Sequence, residues 1–458
     1  MKNEEEPSHD STRRLSRPGQ AAAASSEKPS SSLFPEMMME AIVDPANMRR
    51  AWDQVRGNRG APGPDGITLS QFPEWLRPQW AAIRQQLLDG AYEPSPVRRK
   101  TIDKPDGGQR QLGIPNVLDR LIQQAIQQVL TPVFDPGFSD SSHGFRPGRS
   151  AHGAAKQVQR TIRRGRRFVV DMDLSKFFDR VQHDVLMSRV ARKVRDRRLL
   201  KLIGRYLLAG VMVEGVLQSS PEGTPQGGPL SPLLANILLD DLDKELERRG
   251  LPFVRYADDF VIFTKTRRAA ERVFRGVNRY LTKVLRLVVN LEKSRIVPAD
   301  GVEFLGFVYR GTMGMIHVSE KNVQKCKRRI RELTGRSRGI WMTQRLGELG
   351  RYVHGWAGYF ALAKQMRLFE NLDQWIRRRL RMCFWKRWRF VRTRVQNLLA
   401  LGVPRRQAFR HAKSRHGPWH MAQTIASGVG MTNAWLQDQG LVSLKSLWVK
   451  RAPRRRTA

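Results

Sequence analysis

Two aspartates stand side by side in an otherwise apolar stretch, Phe253-Val254-Arg255-Tyr256-Ala257-Asp258-Asp259-Phe260-Val261-Ile262-Phe263. The apolar runs on either side read as short strands, which puts the acids at the turn of a tight β-hairpin. Burying both charges would be very costly, so they belong at a sheet edge, and a bound cation makes that arrangement favourable. A solvated turn is the plainer alternative, because Asp is common in turns. A second strand-like run, Phe168-Val169-Val170-Asp171-Met172-Asp173, brings Asp173 as a possible third acid. Three converging carboxylates repel one another unless cations neutralise them. Oxygen donors with several negative charges suit Mg²⁺, which takes carboxylates together with substrate phosphates. Two such ions, roughly 3.5 to 4 Å apart, activate an attacking hydroxyl and stabilise a leaving oxygen. Asp173 and Asp258 would bridge them and Asp259 would support them, with Mn²⁺ as a substitute. Phosphoryl or nucleotidyl transfer is the chemistry this pattern predicts.

Further blocks stand in order along the chain. Lys104-Pro105-Asp106-Gly107-Gly108-Gln109-Arg110-Gln111-Leu112-Gly113-Ile114-Pro115, with Asp119-Arg120, is followed by His143-Gly144-Phe145-Arg146-Pro147-Gly148-Arg149-Ser150 and then by the Asp173 strand. After them come Gly223-Thr224-Pro225-Gln226-Gly227-Gly228-Pro229-Leu230-Ser231, the aspartate hairpin, Asn290-Leu291-Glu292-Lys293-Ser294 and Phe304-Leu305-Gly306-Phe307. In content, order and spacing the chain resembles the reverse transcriptases encoded by bacterial group II introns, over residues 40 to 390 and more loosely beyond. The resemblance implies an α+β, right-hand polymerase fold: fingers and palm with an antiparallel sheet, then an all-helical thumb that doubles as the maturase domain. It makes the aspartate hairpin the catalytic turn of the palm.

Each block also has a reading from its own residues. Gly227-Gly228 lacks side chains at two successive positions, which permits close backbone approach; by resemblance Gln226 and its loop lie against the incoming deoxynucleotide, the alternative being a plain turn. Lys104 and Arg110 flank a turn signal, so both can project from a hairpin; by resemblance they grip the triphosphate, and surface charge is the competing reading. Phe178 stands where the family places an aromatic under the sugar, excluding a 2′-hydroxyl; strand alternation would send it and Phe177 to opposite faces, one of them into the core. Lys293 resembles a family lysine near the leaving pyrophosphate, with an ordinary surface lysine as the alternative. Ser175 departs from the commoner acid or lysine at a position that is not a metal ligand.

The charge balance points to a polyanion. Lysine and arginine number 82 against 42 acidic residues, a formal charge of +40, far more than solubility requires. The excess is uneven: residues 321–458 carry 32 basic and 5 acidic side chains. Within that part, apolar residues at 369, 372, 376, 380, 383 and 384 follow helical spacing and predict a long helix over 369–388. Its cations Arg377, Arg378, Arg381, Lys386 and Arg387 are expected to face phosphates, and most of its tryptophans to pack in the core. Arg163-Arg164-Gly165-Arg166-Arg167 is expected to be a phosphate-contacting turn or a solvated charge run.

The chain divides, on this reading, into a leader over 1–35 of disordered composition, fingers and palm over 36–315, a thumb over 316–395 and a basic, nucleic-acid-binding extension over 396–458. No apolar run is long enough for a membrane span, and two isolated cysteines, Cys326 and Cys383, fit a reducing cytoplasm. Paired cysteines of the kind a zinc nuclease needs do not follow the thumb, so no endonuclease activity is expected. The expected function is RNA-directed DNA synthesis from deoxynucleoside triphosphates on an RNA template with a DNA primer. Binding of the parent intron RNA, help with its splicing, and contact with target DNA are implied by resemblance. Two rivals are a non-catalytic RNA-binding splicing cofactor, disfavoured by the three aspartates, and a defence- or CRISPR-associated reverse transcriptase, disfavoured by the maturase-like thumb.

Overall fold

The computed structural model describes residues 36–103, 109–209, 211–213, 216–218, 223 and 227–451. The leader, Lys104 and Gln226 lie outside the described residues, as does the side chain of Arg110.

Eleven strands among the described residues form three sheets. In chain order they are β1 (Val97–Asp103), β2 (Gln109–Ile114), β3 (Phe168–Met172), β4 (Val211–Val213), β5 (Val216–Gln218), β6 (Phe253–Tyr256), β7 (Asp259–Thr264), β8 (Arg295–Pro298), β9 (Glu303–Phe304), β10 (Phe307–Arg310) and β11 (Met315–Val318). The palm sheet has the order β6-β7-β3-β8 and is antiparallel throughout. The fingers sheet, β2-β1-β4-β5, is mixed: β1 runs antiparallel to β2 and parallel to β4, with Val97 opposite Val211. The expectation of antiparallel sheet therefore holds for the palm and fails at this joint. A parallel pair needs a long crossover, and here the crossover is much of the palm itself.

Alternation along the palm strands gives the sheet two apolar faces. Val170, Met172, Phe253, Phe260 and Ile262 belong to one core with the fingers and palm helices. Val169, Val254, Val261 and Phe263 belong to a second core with the thumb. The palm sheet is thus buried on both sides, as near-continuous apolar strands require.

On the fingers side, the helix Val117–Phe134 presents Asp119, 1% exposed, to the hydroxyls of Tyr92 and Tyr206 and to the amide of Ser95. Burial pushes its carboxyl up to about 6, although those hydrogen bonds pull it down.

On the other side, β11 crosses the boundary placed after residue 315 and pairs with β10, so palm and thumb are stitched by a hairpin. The expected long helix is present as Met366–Arg387, with Phe369, Leu372, Ile376, Leu380, Cys383 and Phe384 buried along one face and Trp385 buried on the other side near its end. The residues after it are more than a basic tail. Short helices Arg405–Ala412, Asn433–Asp438 and Leu444–Arg451 return over the thumb and bury Ala408, Leu436, Leu444 and Leu447. Asp373 on the long helix receives the Ser443 hydroxyl at 2.7 Å and the amides of Leu444 and Lys445 at 2.8 and 3.0 Å. Trp448 stacks on Phe369 at 5.4 Å and donates its Nε1–H to Ala363. No helix among the described residues is long and apolar enough to cross a membrane.

Candidate active site

The β6–β7 ladder closes at the pair Tyr256 and Asp259, leaving Ala257 and Asp258 as a two-residue turn. Ala257 has φ +59. A positive φ at the first central residue matches the twist of the flanking strands, but for a residue with a Cβ it costs about 1–2 kcal/mol. The surroundings over-determine it. Arg255, wholly buried, donates through Nη1 to the Ala257 carbonyl at 3.0 Å and to Asn236 Oδ1 at 2.8 Å. Its other nitrogens grip Asp243, also 0% exposed, through both carboxylate oxygens. Asn236 in turn donates to the Gly144 carbonyl at 2.9 Å. Gly144 lies so close to the turn that a Cβ there would meet the Ala257 nitrogen at 2.3 Å. Backbone bonds from Arg255 to Ser141, and from His143 to Arg255, complete the clamp.

Sequence reasoning gave Arg255, Asp243 and Asn236 no role. The available signal was an arginine inside an apolar strand, since such a residue is almost never buried without a partner. His143-Gly144-Phe145-Arg146 has a structural task here: Arg146 is buried against Asp135 and donates to the Ser139 and Ser142 carbonyls.

Asp173 follows β3 directly. The last β3–β7 pair is Met172 with Phe260, so the next step of the same register sets Asp173 opposite Asp259. Directly opposed residues have Cβ atoms about 4.5–5.5 Å apart. The Asp173 amide donates to Ser294 Oγ at 3.0 Å, and its carbonyl accepts from the Asn290 amide at 2.8 Å. Both partners flank Lys293, an exposed residue in a turn whose ends bond to each other, Ser294 to Asn290. The turn carrying the predicted lysine is therefore tied to the Asp173 backbone. Beneath it, Asp171 pairs with Arg295 at 3.2 Å, and burial raises the Asp171 carboxyl against that pull.

The main chain thus gathers Asp173, Asp258 and Asp259 at one corner of the palm sheet. Asp173 and Asp258 are half-buried and Asp259 is exposed. Among the described residues no three His, Cys, Asp or Glu side chains stand close enough to form a ready cage for one ion. The donor set still fits a hard divalent cation of the Mg²⁺ type, which needs one or two protein carboxylates and completes its shell with waters and substrate phosphates.

The strand ends before Phe178, so alternation is not what separates the two phenylalanines. Lys176 turns the chain at φ +47, and Phe177–Asp179 is a single 3₁₀ turn. Phe177 is 3% exposed and Phe178 half-buried, with their rings edge-to-face at 5.1 Å. Gly223 packs on this turn: a Cβ would meet the Phe178 carbonyl at 2.8 Å. The two following glycines serve protein contacts. A Cβ on Gly227 would meet the Gly113 carbonyl of β2 at 2.2 Å, and one on Gly228 would meet Gln123 at 2.2 Å. Fingers and palm are thereby pressed together behind the loop.

The predicted thumb cations divide. Arg378 stacks 3.7 Å over Trp419, and Arg381 donates to the Met431 carbonyl at 2.8 Å, so both hold the C-terminal helices. Arg377 is half-buried; Lys386 and Arg387 are exposed, Arg387 lying over the Trp341 ring.

An antiparallel palm with carboxylates at the end of a central strand and the adjoining hairpin, between a fingers sheet and a helical thumb, is the architecture of the nucleic-acid polymerase class. A family model described as reverse transcriptase (RNA-dependent DNA polymerase) matches residues 102–309, and one for the group II intron maturase-specific domain matches residues 323–401. Protein YkfC of Escherichia coli (strain K12) is 33% identical over 317 residues, covering 60% of this chain and 83% of that protein. Group II intron-encoded protein LtrA of Lactococcus lactis subsp. cremoris is 39% identical over 206 residues, 45% of this chain and 34% of LtrA. Among solved structures, a chain of a partial Cas6-RT-Cas1--Cas2 complex is 27% identical at a TM-score of 0.36, covering 54% of this chain and 42% of that one. The chain belongs to the group II intron reverse transcriptase and maturase family.

Proposed function

We propose that this protein synthesises DNA on an RNA template by two-metal nucleotidyl transfer, and that it binds its parent intron RNA to assist splicing and mobility. The observation that supports the catalytic half is the β3–β7 register, which ends at Met172 opposite Phe260 and so points Asp173 toward Asp259, with Asp258 at a turn held by Arg255. Asp173 and Asp258 would hold two Mg²⁺ ions and Asp259 would support them; the ions supply charge neutralisation at both the attacking and the leaving oxygen. The primer 3′-hydroxyl attacks the α-phosphorus of a deoxynucleoside triphosphate, the new P–O bond forms as the bond to pyrophosphate breaks, and the hydroxyl proton passes to solvent. Lys293, on the turn that bonds to the Asp173 backbone, would protonate the leaving pyrophosphate. Phe178, half-buried on its 3₁₀ turn, supplies the apolar wall that rejects a 2′-hydroxyl. Lys104, Arg110 and Gln226 are assigned to the incoming nucleotide by family resemblance. The exposed cations of the thumb, Lys386 and Arg387 with Arg377, support RNA binding; the proposed site of action is the cytoplasm.

Asp258→Asn tests the assignment. Primer extension on poly(rA)·oligo(dT) is expected to fall by well over the roughly 10- to 100-fold that removing an outer-shell partner costs. RNA affinity, which rests on distributed cations, is expected to stay within about twofold. Extension near the wild-type rate would falsify the metal-ligand role.

A further inference from the structure

Beside the long helix of the thumb lies a cleft of about 460 Å³, lined by Arg331, Arg336, Trp375, Arg379, Met382 and Trp419. Two indoles and three guanidiniums meet there, and none of those cations is needed to balance a neighbouring acid. Glu332 is paired with Arg329 and Glu348 with Arg338; among the described residues no ion pair reaches Arg331, Arg336 or Arg379. Arg331 and Arg379 both lie over the Trp375 ring, at 5.6 and 5.4 Å. Arg378 lies over Trp419. Arg379 also holds the Thr334 hydroxyl and the Arg331 and Thr334 carbonyls, so the wall of the cleft is fixed to the end of the helix Glu320–Leu333. Arg336 stands exposed at the rim.

A volume of this size takes one small ligand. The lining selects its chemistry: flat aromatic surface for stacking, and uncompensated cations for an anion. Unpaired bases of RNA bulges and loops are recognised in just this way, on aromatic rings and guanidinium planes, while the adjoining phosphates take arginine. A paired base cannot enter, because its faces are already stacked within the helix.

We propose that the cleft between Arg336, Trp375 and Trp419 captures a single extruded nucleotide of a structured RNA, its base against the indoles and its phosphate against Arg331 and Arg336. This rests on the RNA-binding part of the proposed function and adds to it a discrimination between bulged and fully paired RNA that distributed charge alone cannot provide.

The test uses the full chain and two RNA hairpins of equal length, one carrying 5-iodouridine as a single-nucleotide bulge and one carrying it in a pair. The bulged hairpin is expected to bind about tenfold more tightly, the scale of one base–aromatic stack, and irradiation is expected to cross-link it to Trp375 or Trp419, as read by peptide mapping. Arg336→Ala is expected to remove most of the preference at an unchanged melting temperature. Trp419→Leu is expected to abolish its cross-link. Equal binding of both hairpins by the wild-type protein, or cross-links mapping outside the cleft, overturns the inference alone. Binding of neither hairpin overturns it together with the RNA-binding reading. An Arg336-dependent affinity for a poly-glutamate peptide matching that for the bulged RNA overturns it in favour of an acidic protein partner.

Discussion

Arg255 shows how much of the aspartate corner depends on a residue that holds the turn from inside the protein. It is buried with Asp243 and joined to Asn236 and the turn carbonyl of Ala257. Removing one partner of a buried pair leaves the other charge uncompensated, so Arg255→Ala is expected to destabilise the protein by about 3–5 kcal/mol. Urea unfolding of the variant reads this; a loss below about 1 kcal/mol, the scale of an exposed pair, would show that water reaches the pair. The three aspartates were legible in the sequence because acids in apolar surroundings demand an explanation. The clamp was not, because Asn236, Asp243 and Gly144 come together only through tertiary structure. At Gly227 and Gly228 the absence of a side chain announced a close approach, and the groups that pack there are Gly113 and Gln123 of the protein.

At the scale of elements, the long thumb helix was readable from its apolar spacing, and its ends fell within a few residues of those expected. The parallel joint between β1 and β4 was not, since two short strands far apart in the chain carry no local mark of their pairing. The helices beyond residue 400 were also missed: each is short, and their packing is done by scattered alanines, methionines and leucines such as Ala408, Met421, Leu436 and Leu444 rather than by a long apolar stripe. Asp373 makes that region depend on the thumb by accepting from Ser443, Leu444 and Lys445. In effect it caps the last described helix from outside, and capping carboxylates are worth roughly 0.5–2 kcal/mol. Asp373→Ala is therefore expected to speed limited proteolysis between residues 431 and 451 while the palm resists as before. Unchanged cleavage there would mean that Trp448 and Leu444 hold the region without it.

Over the whole molecule, charge and apolar burial are separated in function. The formal charge of +40 acts at a distance and is screened by salt. If the protein neutralises six to ten phosphates, affinity for a structured RNA should drop by roughly 10³- to 10⁵-fold between 50 and 200 mM salt. Fluorescence anisotropy across that range checks this, and a flat profile would remove the thumb's basic surface from the binding account. The apolar part is organised by the palm sheet, whose two faces feed two cores.

That double-sided sheet makes the two capacities of the protein unequal in how they can decay. On the proposed function, one altered carboxylate at the corner would silence synthesis and leave every packed surface in place. Deleting the maturase half instead would open the core that it shares with Val169, Val254, Val261 and Phe263, although the helix Ala151–Arg163 would still pack on β6. A lineage of such chains could shed its chemistry by one substitution that disturbs no packing, whereas the reverse path would first bare apolar surface of a shared core.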